Sequence, residues 1–172
     1  MKKYKEDNLN PIISDVKELA AYIKNSYRKV CKNSEISPLK LQKSLYFLFA
    51  YWEGFVRKGH NNPKLAEKDV SSYSEYLYNA NIEAWVYGPV LPEVYGYKDI
   101  DDLNYENIFA SSSDAEEFVE DLLPQIFKVS DFRLVDISHA DKVWKKYFNA
   151  NDRKHSSSMS PKEIIEEYAN KV

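Results

Sequence analysis

The chain is poor in glycine, histidine and cysteine, and each shortage closes off a class of chemistry. Four glycines are spread over 172 residues. Neither Gly88 nor Gly96 falls in a GxGxxG or GxxxxGK spacing, so no backbone loop is equipped to cradle phosphate, and an ATPase or dehydrogenase built on such a loop is excluded. The single cysteine, Cys31, allows no intramolecular disulfide and suits a reducing compartment. His60, His139 and His155 stand apart from one another, without HExxH or CxxC spacing, so no metal site and no cofactor are expected. No apolar run approaches the roughly 18 residues of a membrane span. The opening MKKYKEDNLN has no apolar segment behind its lysines. A cytoplasmic protein without a membrane segment is the expectation.

Aromatic residues, by contrast, are abundant: 14 Tyr, 8 Phe and 3 Trp. That density predicts a thick aromatic core, an adhesive surface, or both. The length corresponds to about one domain. The net charge of −3 is unevenly spread. Residues 1–68 carry 14 Lys and Arg against 7 acids, whereas residues 99–127 carry nine acids and no base. The lysines are dispersed over amphipathic segments and the sequence pI is about 5.7, a pattern that does not suit nucleic acid.

Helix signals dominate. Ser14 or Asp15 followed by Glu18 opens a first helix, with Val16, Leu19, Ala20, Ile23, Tyr27 and Val30 on one face. Ser37-Pro38 opens a second, in which Leu41, Leu45, Leu48, Trp52 and Phe55 recur at helical intervals. Tyr46, Phe47, Phe49 and Tyr51 widen its apolar surface nearly all round, the mark of a buried central helix. Residues 59–75 read as a loop. Leu77-Tyr78 and Ile82–Tyr87 fit two short strands, and Pro92 starts a short helix with Val94 and Tyr95. Ser113 with Glu116 predicts a further helix that Pro124 should kink or end. Ser138 with Asp141 predicts another over SHADKVWKKYF, and Ser160-Pro161-Lys162-Glu163 opens the last. The fold class is therefore mainly α with a small β-hairpin, a single compact helical domain.

The candidate functional residues centre on NIEAWVYGPVLPEVYGY, residues 81–97. Trp85 and Tyr87 share a strand face. If that face is buried both are core, and if the opposite face is buried both stand out as anchors, a use to which Trp and Tyr are well suited. Our reading places Trp85 inward and Tyr87, Pro89, Pro92 and Tyr95 nearer the surface, where the prolines stiffen the backbone. Lys40 and Lys43 sit three residues apart on the second helix, facing either acids of a partner or the acidic 99–121 stretch. His139 beside Asp141 offers a base with a carboxylate partner. Here it reads as a first-turn residue packing near the core, so no catalytic residue is assigned.

The order and spacing of ISPLKLQKSLYF, IEAWVYGPVLPEVY, SHADKVWKKY and MSPKEIIEEY resemble the Panacea domain, a bacterial and phage-associated family also called SocA-like. The resemblance covers residues 36–168, and residues 1–35 form an N-terminal helix and flank joined to the same unit. Its most specific positions are Leu39, Leu41-Gln42-Lys43, Leu45-Tyr46, Ala84-Trp85, Tyr87-Gly88-Pro89-Val90, Pro92 and Tyr95, with His139 and Trp144 matching a weaker third motif. Ser44 stands where the family usually carries an aliphatic residue, and the stretch between Gly59 and Tyr76 is longer than usual. The resemblance implies an antitoxin that binds and neutralises a cognate toxin protein. One branch of the family instead implies a proteolytic adaptor that hands a client to a cytosolic protease. It leaves homo-oligomerisation open.

Overall fold

The computed structural model describes residues 11–58, 76–149 and 157–171. The expected loop over 59–75, and His60 and His155, lie outside the described residues.

Helix α1 (Val16–Val30) begins where Asp15 accepts the Lys17 amide at 2.9 Å. Val16, Leu19, Ala20 and Ile23 are buried, whereas Val30 is 54 % exposed, because the last turn runs past the core. The helix ends on two left-handed residues, Lys32 and Asn33. There the Asn33 amide returns to the Arg28 carbonyl at 2.8 Å, pairing a terminal carbonyl that would otherwise be orphaned. Helix α2 (Pro38–Lys58) starts as its proline and serine dictate, with Ser37 Oγ accepting the Lys40 amide at 3.0 Å. Residues 40–50 are buried on every side. This helix is the central rod of the molecule and packs against α1. Each fully buried Leu or Phe along it contributes about 2 kcal/mol of hydrophobic stabilisation.

The β element differs from expectation. Leu77 and Tyr78 do not pair with residues 82–87; Tyr78 instead makes a parallel bridge to Ile13 ahead of α1. The hairpin lies wholly within the quoted segment: β1 (Glu83–Trp85) pairs antiparallel with β2 (Gly88–Val90) around the turn Val86-Tyr87. Helix α3 (Pro92–Tyr95) follows with its proline in the first turn. The acidic stretch then returns over α1, where Asp101 pairs with Lys24 at 3.1 Å and Arg28 at 2.9 Å.

Helix α4 (Ser113–Phe127) is capped by Ser112, one residue earlier than expected, whose Oγ accepts the Ala115 amide at 3.1 Å. It runs through Pro124 without ending. Ile126 and Phe127, beyond the proline, are buried, and that burial offsets the lost backbone hydrogen bond. The serine–aspartate pair at 138 and 141 does not open a helix. Residues 131–139 form α5 (Asp131–His139), capped by Ser130, so Ser138 belongs to its last turn and donates to Val135 O at 2.9 Å. Helix α6 (Lys142–Tyr147) starts after Asp141. Helix α7 (Pro161–Ala169) begins at Ser160, whose Oγ accepts the Glu163 amide at 3.3 Å, and lies along α2. Among the described residues the fold is mainly α with one two-stranded hairpin.

Candidate functional site

The hairpin is held from three sides, and the sequence shows why each hold is possible. Val86 and Tyr87 have negative φ, so the reversal depends on Gly88 at φ +102. A Cβ at Gly88 would collide with Ser138 Oγ and stand 2.9 Å from Lys43 Cε. Only glycine meets both demands. On one edge, Ala84 N donates to Ser157 O at 3.1 Å and Met159 N to Ile82 O at 2.7 Å. On the other edge α2 replaces a third strand. Gln42 accepts the Leu91 amide at 2.8 Å and donates to Leu91 O at 3.3 Å, and Lys43 Nζ donates to Pro89 O at 3.0 Å. The pairing of LQK with GPVLP is therefore a physical one: two side chains of the helix complete the backbone hydrogen bonding of the strand.

The third hold is a bracket formed by residues 139–144. His139 Nε2 lies 2.7 Å from Val86 O, to which it donates. Trp144 Nε1 donates to Trp85 O at 2.9 Å. The imidazole stacks on the Trp144 indole with centroids 4.2 Å apart. Between these two, Asp141 is fully buried. Its Oδ2 accepts Tyr46 OH and Tyr168 OH, both at 2.6 Å, and its Oδ1 accepts Lys171 Nζ at 2.6 Å. Burial, with the Asp141 carboxylate adding to it, raises both phenols above their ordinary range, so they remain donors. Because the Asp141 carboxylate is used in this way, it leaves the α6 amides uncapped. Glu167 caps them instead, accepting Lys142 N at 3.0 Å and Val143 N at 2.8 Å.

With its carbonyls taken from below, the turn presents side chains outward. Val86 is 58 %, Tyr87 60 % and Tyr95 64 % exposed. Ile82 and Ala84 form the buried face of the hairpin, so Trp85 is half-buried rather than packed inward as expected. Its indole donates to Glu83 Oε1 at 3.0 Å and meets Tyr95 edge-on at 5.1 Å. Pro92 is half-buried in the first turn of α3.

Three expected contact residues prove to be internal. Pro89 is buried beneath the turn with its carbonyl bound by Lys43. Lys40 is buried between helices, donating to Phe127 O at 3.1 Å with Asp131 at 3.4 Å, and so meets neither a partner nor the acidic 99–121 stretch. Lys24 and Arg28 of α1 take up that stretch instead. Lys43 is 1 % exposed, and burial lowers its pKa to about 8. The central position of α2 overrides the polarity of both lysines. Gln42, Asp141 and Glu167 were not singled out as site residues, since their partners lie 24 to 95 residues away along the chain.

Chemically the arrangement is a rigid, aromatic protrusion. Its one buried carboxylate is saturated by three donors and has no open face for a substrate. Among the described residues no group of His, Cys, Asp and Glu is placed to hold a metal ion, and no helix is long and apolar enough to cross a membrane. A surface depression of about 520 Å³, lined by Ile12, Ser14, Glu18, Asn104, Asn107 and Ser111, contains none of the turn residues. No family model matches the chain, and neither a curated protein nor a solved structure matches it.

Proposed function

We propose that the chain is a cytoplasmic, antitoxin-like binding protein that neutralises a cognate toxin by stoichiometric contact, with the tip of the hairpin as its contact surface. One observation carries this reading: Val86 and Tyr87 project into solvent from a turn anchored by Trp144 on the Trp85 carbonyl and His139 on the Val86 carbonyl. An apolar side chain held on a fixed backbone loses little entropy on docking. A tyrosine in that position joins a large contact area to a hydrogen-bonding end. The resemblance of the LQK and YGPV segments to the Panacea domain supplies the partner class.

Co-expression with the product of the neighbouring gene tests the proposal. Rescue of growth and a stable co-purifying complex are expected. Tyr87→Ala, with circular dichroism unchanged, should weaken that complex at least ~10-fold, and Tyr95→Ala should weaken it less. A toxic neighbour that is neither rescued nor retained would overturn the reading. The adaptor alternative needs a second surface, and one observation favours it. Phe132 is 74 % exposed at the start of α5, about 10 Å along the helix from His139. Under that alternative, client half-life shortens when the protein is present, whereas simple neutralisation leaves it unchanged.

A further inference from the structure

The bracket beneath the turn is only as well placed as the carboxylate at its centre. Residues 139–144 hold the turn at both ends, through His139 on Val86 O and Trp144 on Trp85 O. In the middle of this run, Asp141 is bound by α2 through Tyr46, by α7 through Tyr168, and by Lys171 two residues past the end of α7. Lys171 is the cation that compensates the buried charge: its Nζ donates to Asp141 Oδ1 at 2.6 Å, stands 3.4 Å from Glu167 and lies 4.2 Å from the Tyr168 ring centroid. Glu167, which Lys171 flanks, caps the first amides of α6. Helix α6 is six residues long, too short to hold its position without outside contacts. Among the described residues, the side-chain hydrogen bonds at its N-terminal end come from α2, from α7 and from Lys171 just beyond α7.

We infer that Asp141 and Lys171 are positioning residues for the hairpin tip: α7 seats α6, and α6 seats the turn that carries Tyr87. The inference rests on the tip being the contact surface for its importance to binding, but the mechanical linkage is testable without any partner. Removing the Lys171 charge leaves a buried carboxylate uncompensated, which destabilises the packing that encloses it. The structure nearest to that carboxylate, and therefore first to loosen, is the corner between α5 and α6.

The three tryptophans provide the readout. The Trp144 indole N–H reports the bracket, that of Trp85 reports the hairpin, and Trp52, fully buried in α2, serves as the core control. In a two-dimensional NMR spectrum of Lys171→Met, hydrogen exchange of the Trp144 indole N–H should quicken at least ~10-fold while that of Trp52 stays at its wild-type rate. Binding of the co-purifying toxin should weaken in parallel. The double variant Lys171→Met with Asp141→Asn removes the stranded charge and retains an oxygen acceptor for the tyrosines. It should return Trp144 exchange to within about threefold of wild type. Unchanged Trp144 exchange in Lys171→Met would overturn the inference, as would acceleration at Trp52 equal to that at Trp144, or failure of the double variant to restore protection. Altered exchange with no toxin bound by any form would leave the linkage standing and sink the contact-surface reading alone.

Discussion

Lys43 carries an ammonium group into the interior with one neutral acceptor, Pro89 O. Burial lowers its pKa to about 8, against 10.5 for the free side chain. Between those two values the unfolded chain binds a proton that the folded chain does not, so stability rises with pH across that window. Denaturant midpoints measured from pH 7 to pH 9.5 should therefore climb, by an amount on the order of 2 kcal/mol in unfolding free energy. Lys43→Met should abolish the climb whatever its effect at a single pH, and an unchanged slope would show that the charge is solvated after all. At this scale the sequence was a partial guide. Tyr87 and Tyr95 are exposed as their aromatic and turn setting suggested. Residue type alone placed Lys40 and Lys43 at the surface, and only the encirclement of α2 by other elements puts them inside.

Among the elements, α2 acts as a helix and as the lateral partner of a strand. Gln42 matches the backbone N–H and C=O of Leu91 with the two halves of its amide. Gln42→Leu should leave that buried N–H and C=O without partners, at a cost of about 2 to 3 kcal/mol. Urea denaturation would measure the loss, and a change below about 0.5 kcal/mol would show that water fills the site. Helix starts were legible at Asp15, Ser37-Pro38 and Ser160-Pro161, whose caps act within three residues of themselves, whereas the equally local cap Ser112 was read one residue late and Ser130 was missed. Helix α5 was not legible. Ser138 and Asp141 reproduce the spacing of a capping box while their side chains are committed elsewhere, Ser138 to Val135 O and Asp141 to distant tyrosines. The hairpin was displaced for a related reason: the glycine that permits its turn follows the turn residues, where it resembled a strand terminator.

For the whole molecule, the dense aromatic content becomes a set of buried phenols with charge-sensitive consequences. Burial raises the pKa of Tyr78, whose hydroxyl donates to Leu45 O at 2.6 Å. Burial together with neighbouring Tyr168 and Asp141 raises that of Tyr46, and burial with Asp141 raises that of Tyr168. Groups whose folded pKa lies above the unfolded one contribute their full stability below the unfolded value, here 10.0, and lose it as pH rises beyond. Alkaline titration should therefore show the buried phenols ionising together with loss of helical circular dichroism above pH 10, in one cooperative step. Phenolate absorbance that rose smoothly while helicity persisted would contradict this.

Both lateral margins of the hairpin are occupied, one by Ser157 and Met159 and the other by Gln42 and Lys43. A partner therefore finds no open strand edge to extend, and recognition by β-augmentation is closed to it. Under the proposed function, whatever docks at the tip must read side chains, and the matching feature on that partner would be a cavity shaped for a phenol. Such a cavity is indifferent to the partner's secondary structure, and any fold that offers one is a candidate for the same site.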